Sequence, residues 1–391
     1  MASEIYLDNS ATTRQYDEVT SLMADVAANN YGNPSSLHTR GIEAERIVSG
    51  ARETIAALLG AQPSEIYFTS GGTESNNLAV IGYLDANPRK GRHVITTRIE
   101  HPSVLEVFRH LESKGYKVDY LDVDGNGRII PGQLEEKIRP DTALIGIILV
   151  NNETGTMQDI SRIAAIRDAL NPQTVIHADA VQAFGKIKLT PARSGIGLMS
   201  LSSHKIHGPK GVGALYVSKG IRINPLFYGG GQEGLIRSGT ENVPGIAGFG
   251  LAARMTAERT QENLLKAARL KQMLIDGLAS SDIEHRVNSP GDALPYIINI
   301  SFKNVRAEVL LHHLEQRRIF VSTGSACSSN KKNRSHVLAA MNISQEWIDG
   351  AIRFSLSHQN TEEEMRLTTD ALKDIIPVIN IRKKSRAGRN I

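Results

Sequence analysis

A short apolar run leads into two glycines and a helical pattern in the segment Ile66-Tyr-Phe-Thr-Ser-Gly-Gly-Thr-Glu-Ser-Asn-Asn77. The residues from Ile66 to Thr69 predict a β-strand, and the glycines allow the backbone to turn tightly into a helix. The free N–H groups of that turn and the Thr73 hydroxyl form a candidate phosphate cradle. The same pattern is also typical of an ordinary capped turn between a strand and a helix.

Strand-like and helical patterns alternate on both sides of this segment. Apolar residues follow helical spacing from Arg40 to Leu59, and this helix is predicted to end before Gly60. This alternation predicts an α/β domain with a mostly parallel sheet covered on both faces. The other strands predicted in it span 93–97, 117–121, 144–151, 174–178 and 198–202.

The pattern changes after about residue 250. A charged amphipathic segment predicts one long helix over 252–279, and shorter strands and helices follow at 297–302, from 307, at 319–322 and at 362–376. This order predicts a smaller α+β domain. We expect a large domain at 14–255, a small domain formed by 1–13 and 256–380, and a basic, disordered tail at 381–391.

Length and composition limit the class of protein. The chain has 391 residues, 40% hydrophobic and 22% charged, which is enough for two domains with substantial cores. The longest apolar run, near 143–150, is far shorter than the roughly 18 residues that a membrane helix requires. The N-terminal residues lack the pattern of a secretory signal. We therefore expect a cytoplasmic protein that does not associate with a membrane.

The positive charge is concentrated at the C-terminus. Five of the 45 cationic residues lie within 382–391, which leaves 40 against 41 acidic residues in the rest of the chain. The body of the protein is therefore close to neutral, and we expect no direct nucleic-acid binding.

Two residues near predicted strand ends have the chemistry of a cofactor site. Asp179 follows the apolar run from Val175, where open α/β sheets bind ligands, and its carboxylate could hold a protonated ring nitrogen or simply cap a helix. Lys205 emerges from a strand into a loop rich in serine, histidine and glycine. A partly desolvated amine there is nucleophilic and suits a Schiff base. Lys210 lies between Pro209 and Gly211 and is interpreted as a turn residue.

Three patterns imitate other sites. His204 and His207 have a metal-like spacing, but no acidic or thiol ligand matches them, so we expect no metal site. The segment 122–127 imitates an EF-hand loop, but Gln133 stands where a bidentate glutamate is required, which predicts a turn. The triple glycine at 229–231 lacks the strand and spacing of a dinucleotide-binding motif.

The chain contains one cysteine, Cys327, which excludes an intrachain disulfide and a cysteine-based zinc site. Its neighbours are small and polar, and the cations Lys331, Lys332 and Arg334 favour the reactive thiolate form. We therefore expect a reactive cysteine on an exposed, mobile loop at about 324–336, although a chance exposed thiol would look the same.

These features, in this order, resemble the pyridoxal-phosphate enzymes of the aspartate aminotransferase fold type, fold type I. The chain also contains nine ordered motifs: Tyr6-Leu-Asp-Asn-Ser-Ala-Thr-Thr13, Thr69-Ser-Gly-Gly-Thr-Glu-Ser75, Glu100-His101, Asn151-Asn-Glu-Thr-Gly155, His177-Ala-Asp-Ala-Val-Gln182, Ser202-Ser-His-Lys205, Arg237-Ser-Gly-Thr-Glu-Asn242, Gly324-Ser-Ala-Cys-Ser328 and Ile352-Arg-Phe-Ser-Leu356. In these motifs the chain resembles the cysteine desulfurases of the NifS/IscS type in the class V aminotransferase family. The resemblance implies a large α/β domain with a mostly parallel seven-stranded sheet and a smaller α+β C-terminal domain.

The resemblance also implies a cofactor, pyridoxal 5'-phosphate, and a role for each site residue. Lys205 would hold the cofactor and move protons at the substrate Cα, Asp179 would bind the pyridine nitrogen, and Gln182 the phenolic oxygen. His101 would stack on the ring and assist proton transfer. The other implied cofactor contacts are Gly72, Thr73, Ser202 and His204 at the phosphate, Thr240 from the second subunit of a homodimer, and Asn152.

The implied reaction removes sulfur from L-cysteine, releases L-alanine and leaves a persulfide on Cys327. Arg353, together with Asn152, would bind the substrate carboxylate. The persulfide would pass to a sulfur-acceptor protein, either an iron–sulfur scaffold or a tRNA-thiolation carrier. The alternatives are another enzyme of the same fold type, such as a selenocysteine lyase or an aminotransferase, and a non-catalytic member of the family.

Overall fold

The structure is a computed structural model and describes residues 4–323 and 334–380. The strands are β1 (Ile5–Tyr6), β2 (Ile66–Thr69), β3 (His93–Thr97), β4 (Lys117–Leu121), β5 (Thr142–Ile148), β6 (Val175–Asp179), β7 (Leu198–Ser202), β8 (Gly213–Val217), β9 (His285–Val287), β10 (Ile297–Phe302), β11 (Ile319–Phe320) and β12 (Ala351–Ser355). The α-helices are α1 (Asp17–Asn29), α2 (Thr39–Leu59), α3 (Gly72–Asn77), α4 (Tyr83–Ala86), α5 (Pro102–Ser113), α6 (Pro131–Lys137), α7 (Ile160–Leu170), α8 (Val243–Glu258), α9 (Thr260–Ala279), α10 (Ala307–Gln316), α11 (His336–Ala340), α12 (Gln345–Ile348) and α13 (Glu362–Ile379).

A seven-stranded sheet with the strand order β2-β8-β7-β6-β5-β3-β4 forms the centre of the chain. The five strands from β7 to β4 pair in parallel, and β8 runs antiparallel to both of its neighbours. Every residue of β3, β5, β7 and β8 is buried, as expected for a sheet covered on both faces. This confirms the predicted α/β fold with a mostly parallel seven-stranded sheet.

Smaller sheets complete the fold. β10 pairs antiparallel with β12 and β9, and the short strand β1 near the N-terminus pairs in parallel with β11. A second hydrophobic core joins these strands to α9, α10 and α13 through residues such as Leu7, Leu274 and Phe354. The N-terminal residues Ile5 and Leu7 belong to this second core. The division into a large domain at 14–255 and a small domain formed by 1–13 and 256–380 stays a prediction.

Several local predictions agree with the structure to the residue. β2, β3, β4, β7 and β10 have the predicted bounds, and α2 ends at Leu59 because Gly60 adopts a left-handed conformation with φ of 61°. The segment 122–127 is a turn, in which the Asp124 carboxylate accepts the backbone N–H groups of Asn126 and Arg128, each at 2.9 Å.

The single long helix predicted over 252–279 is wrong. The chain instead forms α8 and α9, separated by Arg259, whose φ of −120° lies outside the helical range. The terminal helix α13 extends to Ile379, beyond the predicted end at 376, and contains Pro377 in its last turn. Among the described residues, no helix combines the length and apolar character needed to cross a membrane. Cys327 and the basic tail at 381–391 lie outside the described residues.

Candidate active site

A cavity of about 310 Å³ opens where the carboxyl ends of β6 and β7 meet residues of the small sheets. Parallel strands place their carboxyl ends on one edge of a sheet, which is where open α/β folds bind ligands. The cavity brings together ten of the residues predicted from sequence: Gly72, Thr73, His101, Asn152, Asp179, Gln182, Ser202, His204, Lys205 and Arg353.

The glycine-rich turn after β2 forms one wall of this cavity. Gly71 adopts φ of 150°, which favours glycine, and Gly72 begins α3. A Cβ atom on Gly72 would lie 2.6 Å from Cγ2 of Val181, so a larger residue would require a shift of this wall. The same Cβ atom would lie 3.6 Å from Cβ of Ser202, whose buried hydroxyl has no hydrogen-bond partner within 4–323 and 334–380. Together with Thr73, Ser202 offers hydroxyl donors for an anionic ligand.

Asp179 ends β6, and its buried carboxylate is held from two sides. Oδ1 accepts the backbone N–H of Val181 at 3.0 Å, and Oδ2 accepts Nδ2 of Asn76 at 2.9 Å. The same Asn76 nitrogen lies 2.9 Å from Oγ of Ser103, whose hydroxyl is 2.8 Å from Nδ1 of His101. Asn76 and Ser103, which sequence reasoning missed, therefore connect Asp179 to His101.

His101 caps the start of α5. The backbone N–H of Ser103 donates to Nδ1 at 3.1 Å, so this nitrogen is an acceptor and the neutral ring carries its proton on Nε2. Burial lowers the pKa of His101, and the Asp179 carboxylate partly opposes this effect. The ring is therefore neutral near pH 7 and can donate from Nε2.

Lys205 ends a short 3₁₀ turn, Ser203–Lys205, directly after β7. Its Nζ donates to the Ser10 carbonyl at 2.5 Å and to the Ala11 carbonyl at 2.7 Å. The preceding residue, His204, lies with Nδ1 3.1 Å from the Thr12 hydroxyl. Burial, followed by the Lys205 charge, lowers the pKa of His204 to about 3, so its imidazole is neutral.

Arg353 extends from β12 into the cavity and is almost fully buried. Its Nη2 forms an ion pair with Oδ1 of Asp8 at 2.8 Å, and its Nη1 donates to the backbone carbonyl of Asn152 at 3.0 Å. Nε is buried and has no partner in the part of the chain that the structure describes. Asp8, which sequence reasoning did not single out, thus holds one arm of a guanidinium whose charge faces the cavity.

Gln182 lies between two lysines. Its Nε2 donates to the Ser10 carbonyl at 3.0 Å, and its Oε1 accepts Nζ of Lys186 at 3.1 Å. Burial, followed by the charges of Lys205 and Arg353, lowers the pKa of Lys186 to about 7. Lys186 follows Gln182 by four residues, a spacing that could have drawn attention to it.

Further residues lie at the edge of the cavity. Arg334 was expected from sequence only as a cation near Cys327, and Ser335 and His336 were missed. Arg334 and His336 line the cavity directly after 324–333, and Nε2 of His336 donates to the Glu100 carbonyl at 2.9 Å. Ser335 donates to the buried Glu153 carboxylate at 2.5 Å and also caps α11. These contacts join the small sheets to the edge of the large one.

Among the described residues, one predicted site residue, Thr240, does not line this cavity. Thr240 is exposed and lines a separate pocket of about 100 Å³. Cys327 lies outside the described residues. His204 and His207 have different partners. The Nδ1 of His204 contacts the Thr12 hydroxyl, whereas His207 stacks on Tyr16 with 4.6 Å between ring centroids and donates from Nδ1 to the Arg14 carbonyl. No group of three or more potential metal ligands is found within 4–323 and 334–380.

The charge of the cavity suits an anionic aromatic ligand. Lys205, Arg353 and Arg334 line it, against the carboxylates of Asp179 and Glu153. These groups fit pyridoxal phosphate. The Lys205 amine fits its aldehyde, and the Ser202 hydroxyl beside the glycine turn fits its phosphate. The Asp179 carboxylate, held by two donors, fits its ring nitrogen.

Comparisons with known proteins agree with this geometry. A sequence model described as "Aminotransferase class-V" matches residues 5–367. A protein from Methanosarcina thermophila named "Cysteine desulfurase IscS" is 43% identical over 96% of this chain and 91% of its own length. A solved structure titled "NIFS-LIKE PROTEIN" is 39% identical with a TM-score of 0.91, over 96% of this chain and 100% of its own. A structure titled "SspA in complex with cysteine" is 35% identical with a TM-score of 0.80, over 92% and 100% of the two chains.

Proposed function

The chain belongs to the class V aminotransferase family and to the cysteine desulfurases within it, and from this membership we propose that it converts L-cysteine to L-alanine and retains the sulfur as a persulfide on Cys327. The cofactor of this family is pyridoxal phosphate. The role of Cys327 rests on its sequence context, a polar segment with nearby cations.

One arrangement supports this function most directly: Lys205, Asp179 and Arg353 line a single cavity. When bound, the cofactor supplies an electron sink that weakens the Cβ–S bond of the substrate. Asp179 would hold the ring nitrogen, because Asn76 and Val181 orient its carboxylate. Gly72, Thr73, Ser202 and His204 would hold the phosphate, and Gln182 the phenolic oxygen.

The side chains of this protein would bind the substrate and move its protons. Arg353, together with the neighbouring Asn152, would bind the substrate carboxylate. The buried Nε of Arg353 is available for this contact, because it has no partner within the described ranges. The Lys205 amine would remove the Cα proton once its carbonyl contacts are exchanged for the substrate. His101, neutral and protonated on Nε2, would assist proton transfer.

Sulfur transfer then requires a thiolate at Cys327. Its sulfur attacks the substrate sulfur, and an S–S bond forms as the Cβ–S bond breaks. A proton at Cβ and the return of a proton to Cα then complete alanine. Arg334 and His336 line the cavity immediately after the segment that carries Cys327. Positive charge at that position supports the thiolate form.

The experiment is an assay of alanine and sulfide from L-cysteine with the parent protein and Cys327→Ser. We expect the serine variant to lose desulfuration while the visible absorbance of the bound cofactor persists. Equal desulfuration by both proteins would refute the role of Cys327. Absence of a visible band after addition of pyridoxal phosphate would favour a non-catalytic member of the family. Parallel reactions with L-selenocysteine and with keto acids test the lyase and aminotransferase alternatives.

We also propose that the protein is a homodimer. Five large apolar side chains are more than half exposed in two short segments: Tyr31, Leu37, Phe227, Tyr228 and Leu235. Exposed apolar patches mark interaction sites, and we infer that a second copy of the chain covers these side chains. The second segment leads to Thr240, and Arg237, which lies between them, forms an ion pair with Glu74 of α3 at 3.0 Å. An exposed Thr240 next to such a surface supports its proposed contact with the phosphate of the partner subunit.

The persulfide acceptor is proposed to be a protein, either an iron–sulfur scaffold or a tRNA-thiolation carrier. Capture of the acceptor from cell extract by protein loaded with sulfur from labelled L-cysteine would distinguish the two.

The cytoplasmic location stays a prediction from sequence.

A further inference from the structure

Lys186 is a second buried lysine beside Lys205, and the proposed reaction does not use it. Its side chain is 8% exposed, and both lysines line the same small cavity of about 20 Å³. Nζ of Lys186 contacts Oε1 of Gln182, Nε2 of Gln182 contacts the Ser10 carbonyl, and that carbonyl also accepts Nζ of Lys205. A continuous series of hydrogen bonds therefore connects the two lysines through Gln182.

These contacts leave the Gln182 amide only one orientation. A carbonyl can only accept, so Ser10 must face Nε2, and the protonated form of Lys186, which can only donate, must face Oε1. Gln182 also lines the cavity that contains Lys205. The amide hydrogen that these two bonds do not use is on Nε2. Gln182 can therefore offer the cavity a donor and not an acceptor.

The surroundings of Lys186 favour an anion in the cavity. No carboxylate lies within ion-pair distance of its Nζ among residues 4–323 and 334–380, and the ring of Tyr296 lies 5.8 Å away. The titratable groups that interact with it electrostatically are Lys205, Arg353, His204 and His207. A buried cation among other cations is costly unless an anion is bound nearby.

We propose that Lys186 is a positioning residue that fixes the Gln182 amide so that its N–H, and not its oxygen, meets the phenolic oxygen of pyridoxal phosphate. This inference rests on the proposed function. A fixed N–H donor, with a cation behind it, stabilises the ionised phenolic oxygen and favours loss of a proton from the conjugated system. Without Lys186, Oε1 loses its donor and only the bond from Nε2 to the Ser10 carbonyl holds the amide, so its N–H is less firmly held toward the phenolic oxygen.

The first test is Lys186→Met, with Lys188→Met as the matched control because Lys188 is exposed two residues away. The readouts are the pH titration of the visible absorbance of the loaded protein and the dissociation constant for pyridoxal phosphate. We expect Lys186→Met to raise the titration midpoint by about one pH unit and to weaken binding about 10-fold. Lys188→Met should match the parent. A Lys186→Met protein that titrates and binds like the parent would overturn the proposal.

The second test asks whether Lys186 acts through Gln182. In a double-mutant cycle with Gln182→Met, Lys186→Met should weaken cofactor binding less than about twofold further, because the orienting contact is already gone. If the two substitutions weaken cofactor binding independently, so that their fold-changes multiply, then Lys186 does not act through Gln182 and the proposal is overturned. Far-UV circular dichroism confirms that each variant is folded. If the parent itself shows no visible band with pyridoxal phosphate, the proposed function fails; if the parent shows the band and only the Lys186 effects are absent, this inference alone fails.

Discussion

Individual side chains in the active site are held by contacts that the chain itself provides. Arg353 forms hydrogen bonds with the Asp8 carboxylate and the Asn152 carbonyl. Asp179 accepts hydrogen bonds from Asn76 and Val181. A side chain fixed in this way needs little further ordering when a ligand binds, which lowers the cost of binding. The precision of the site therefore depends on partners as much as on the reacting groups.

Arg353→Lys tests this at the residue that we propose binds the substrate carboxylate. A lysine keeps the charge but loses the planar fork that can contact Asp8, Asn152 and a carboxylate together. We expect the KM for L-cysteine to rise about 10-fold or more, with a smaller change in kcat. Steady-state kinetics measure both.

The matched control for this prediction is Arg317→Lys, an exposed arginine that pairs with Asp374 at 2.8 Å. It should leave both constants unchanged. An Arg353→Lys variant with an unchanged KM would show that another group binds the carboxylate.

At the scale of elements, the ends of strands and helices are joined by buried polar groups. Glu100, after β3, is fully buried, and its Oε1 accepts the Thr97 hydroxyl at 2.6 Å and the Ile148 N–H of β5 at 2.9 Å. Ser335 joins α11 to Glu153. These contacts hold the loops of the site against the sheet edge. Substitution of Glu100 or Ser335 should therefore change the stability of the protein.

Glu100→Gln should change how stability depends on pH. Burial raises the pKa of Glu100 to about 8 from a usual value of 4.5, so the folded protein keeps a proton that the unfolded chain loses in this window. Its contribution to stability is therefore present below about pH 4.5 and is lost as the pH rises through about 8. A glutamine has no such dependence. We expect the melting temperature of the parent to fall more between about pH 5 and pH 8.5 than that of Glu100→Gln.

Glu136→Gln, at an exposed position of α6, is the control and should follow the parent. If the melting temperatures of Glu100→Gln and the parent change equally over this pH range, then Glu100 is already ionised in the folded protein.

Ser335→Ala should destabilise the protein by about 1–2 kcal/mol, since it removes the cap of α11 and leaves the buried Glu153 carboxylate without this donor. Urea unfolding measures the change. Ser344→Ala is a matched control because Ser344 precedes α12 but forms no side-chain cap bond. Equal stability of the two variants would contradict a role for the Ser335 contact.

At the scale of the whole molecule, one sheet edge and two cores create the site. β6 and β7 present Asp179 and Lys205, β12 presents Arg353, and the loop after β1 supplies the carbonyls of Ser10 and Ala11. The site thus depends on residues far apart in sequence that only the packed fold brings together. The proposed partner subunit would complete it through Thr240.

Leu37→Asp together with Leu235→Asp should disrupt the proposed dimer, because both leucines are strongly exposed in one chain and a charge at an apolar interface is costly. We expect sedimentation to show a species of half the parent mass, with weaker cofactor binding if Thr240 reaches the partner's phosphate site. Leu170→Asp, at another exposed leucine, should retain the parent mass. A parent that sediments as a monomer would refute the dimer.

Local patterns predicted much of this fold. β2, β3 and β7 could be read from short apolar runs, and the end of α2 from Gly60. β8 was missed because its pattern begins at Gly213 directly after a glycine-rich loop. The break at Arg259 was missed because no glycine or proline marks it. For the site, family motifs identified the residues that line the cavity. Asn76 and Asp8 were missed as partners because their contacts with Asp179 and Arg353 depend on packing between distant segments. Lys186 was missed although its partner Gln182 lies only four residues away.

The central claim is that Cys327 receives sulfur from L-cysteine in the cavity that contains Lys205. The most direct measurement is mass spectrometry of the Cys327 peptide after a brief reaction with L-cysteine, with Lys205→Ala as the comparison. We predict that the parent peptide gains the mass of one sulfur atom, that dithiothreitol removes it, and that Lys205→Ala gains none. An unmodified Cys327 in protein that is releasing alanine would contradict the claim.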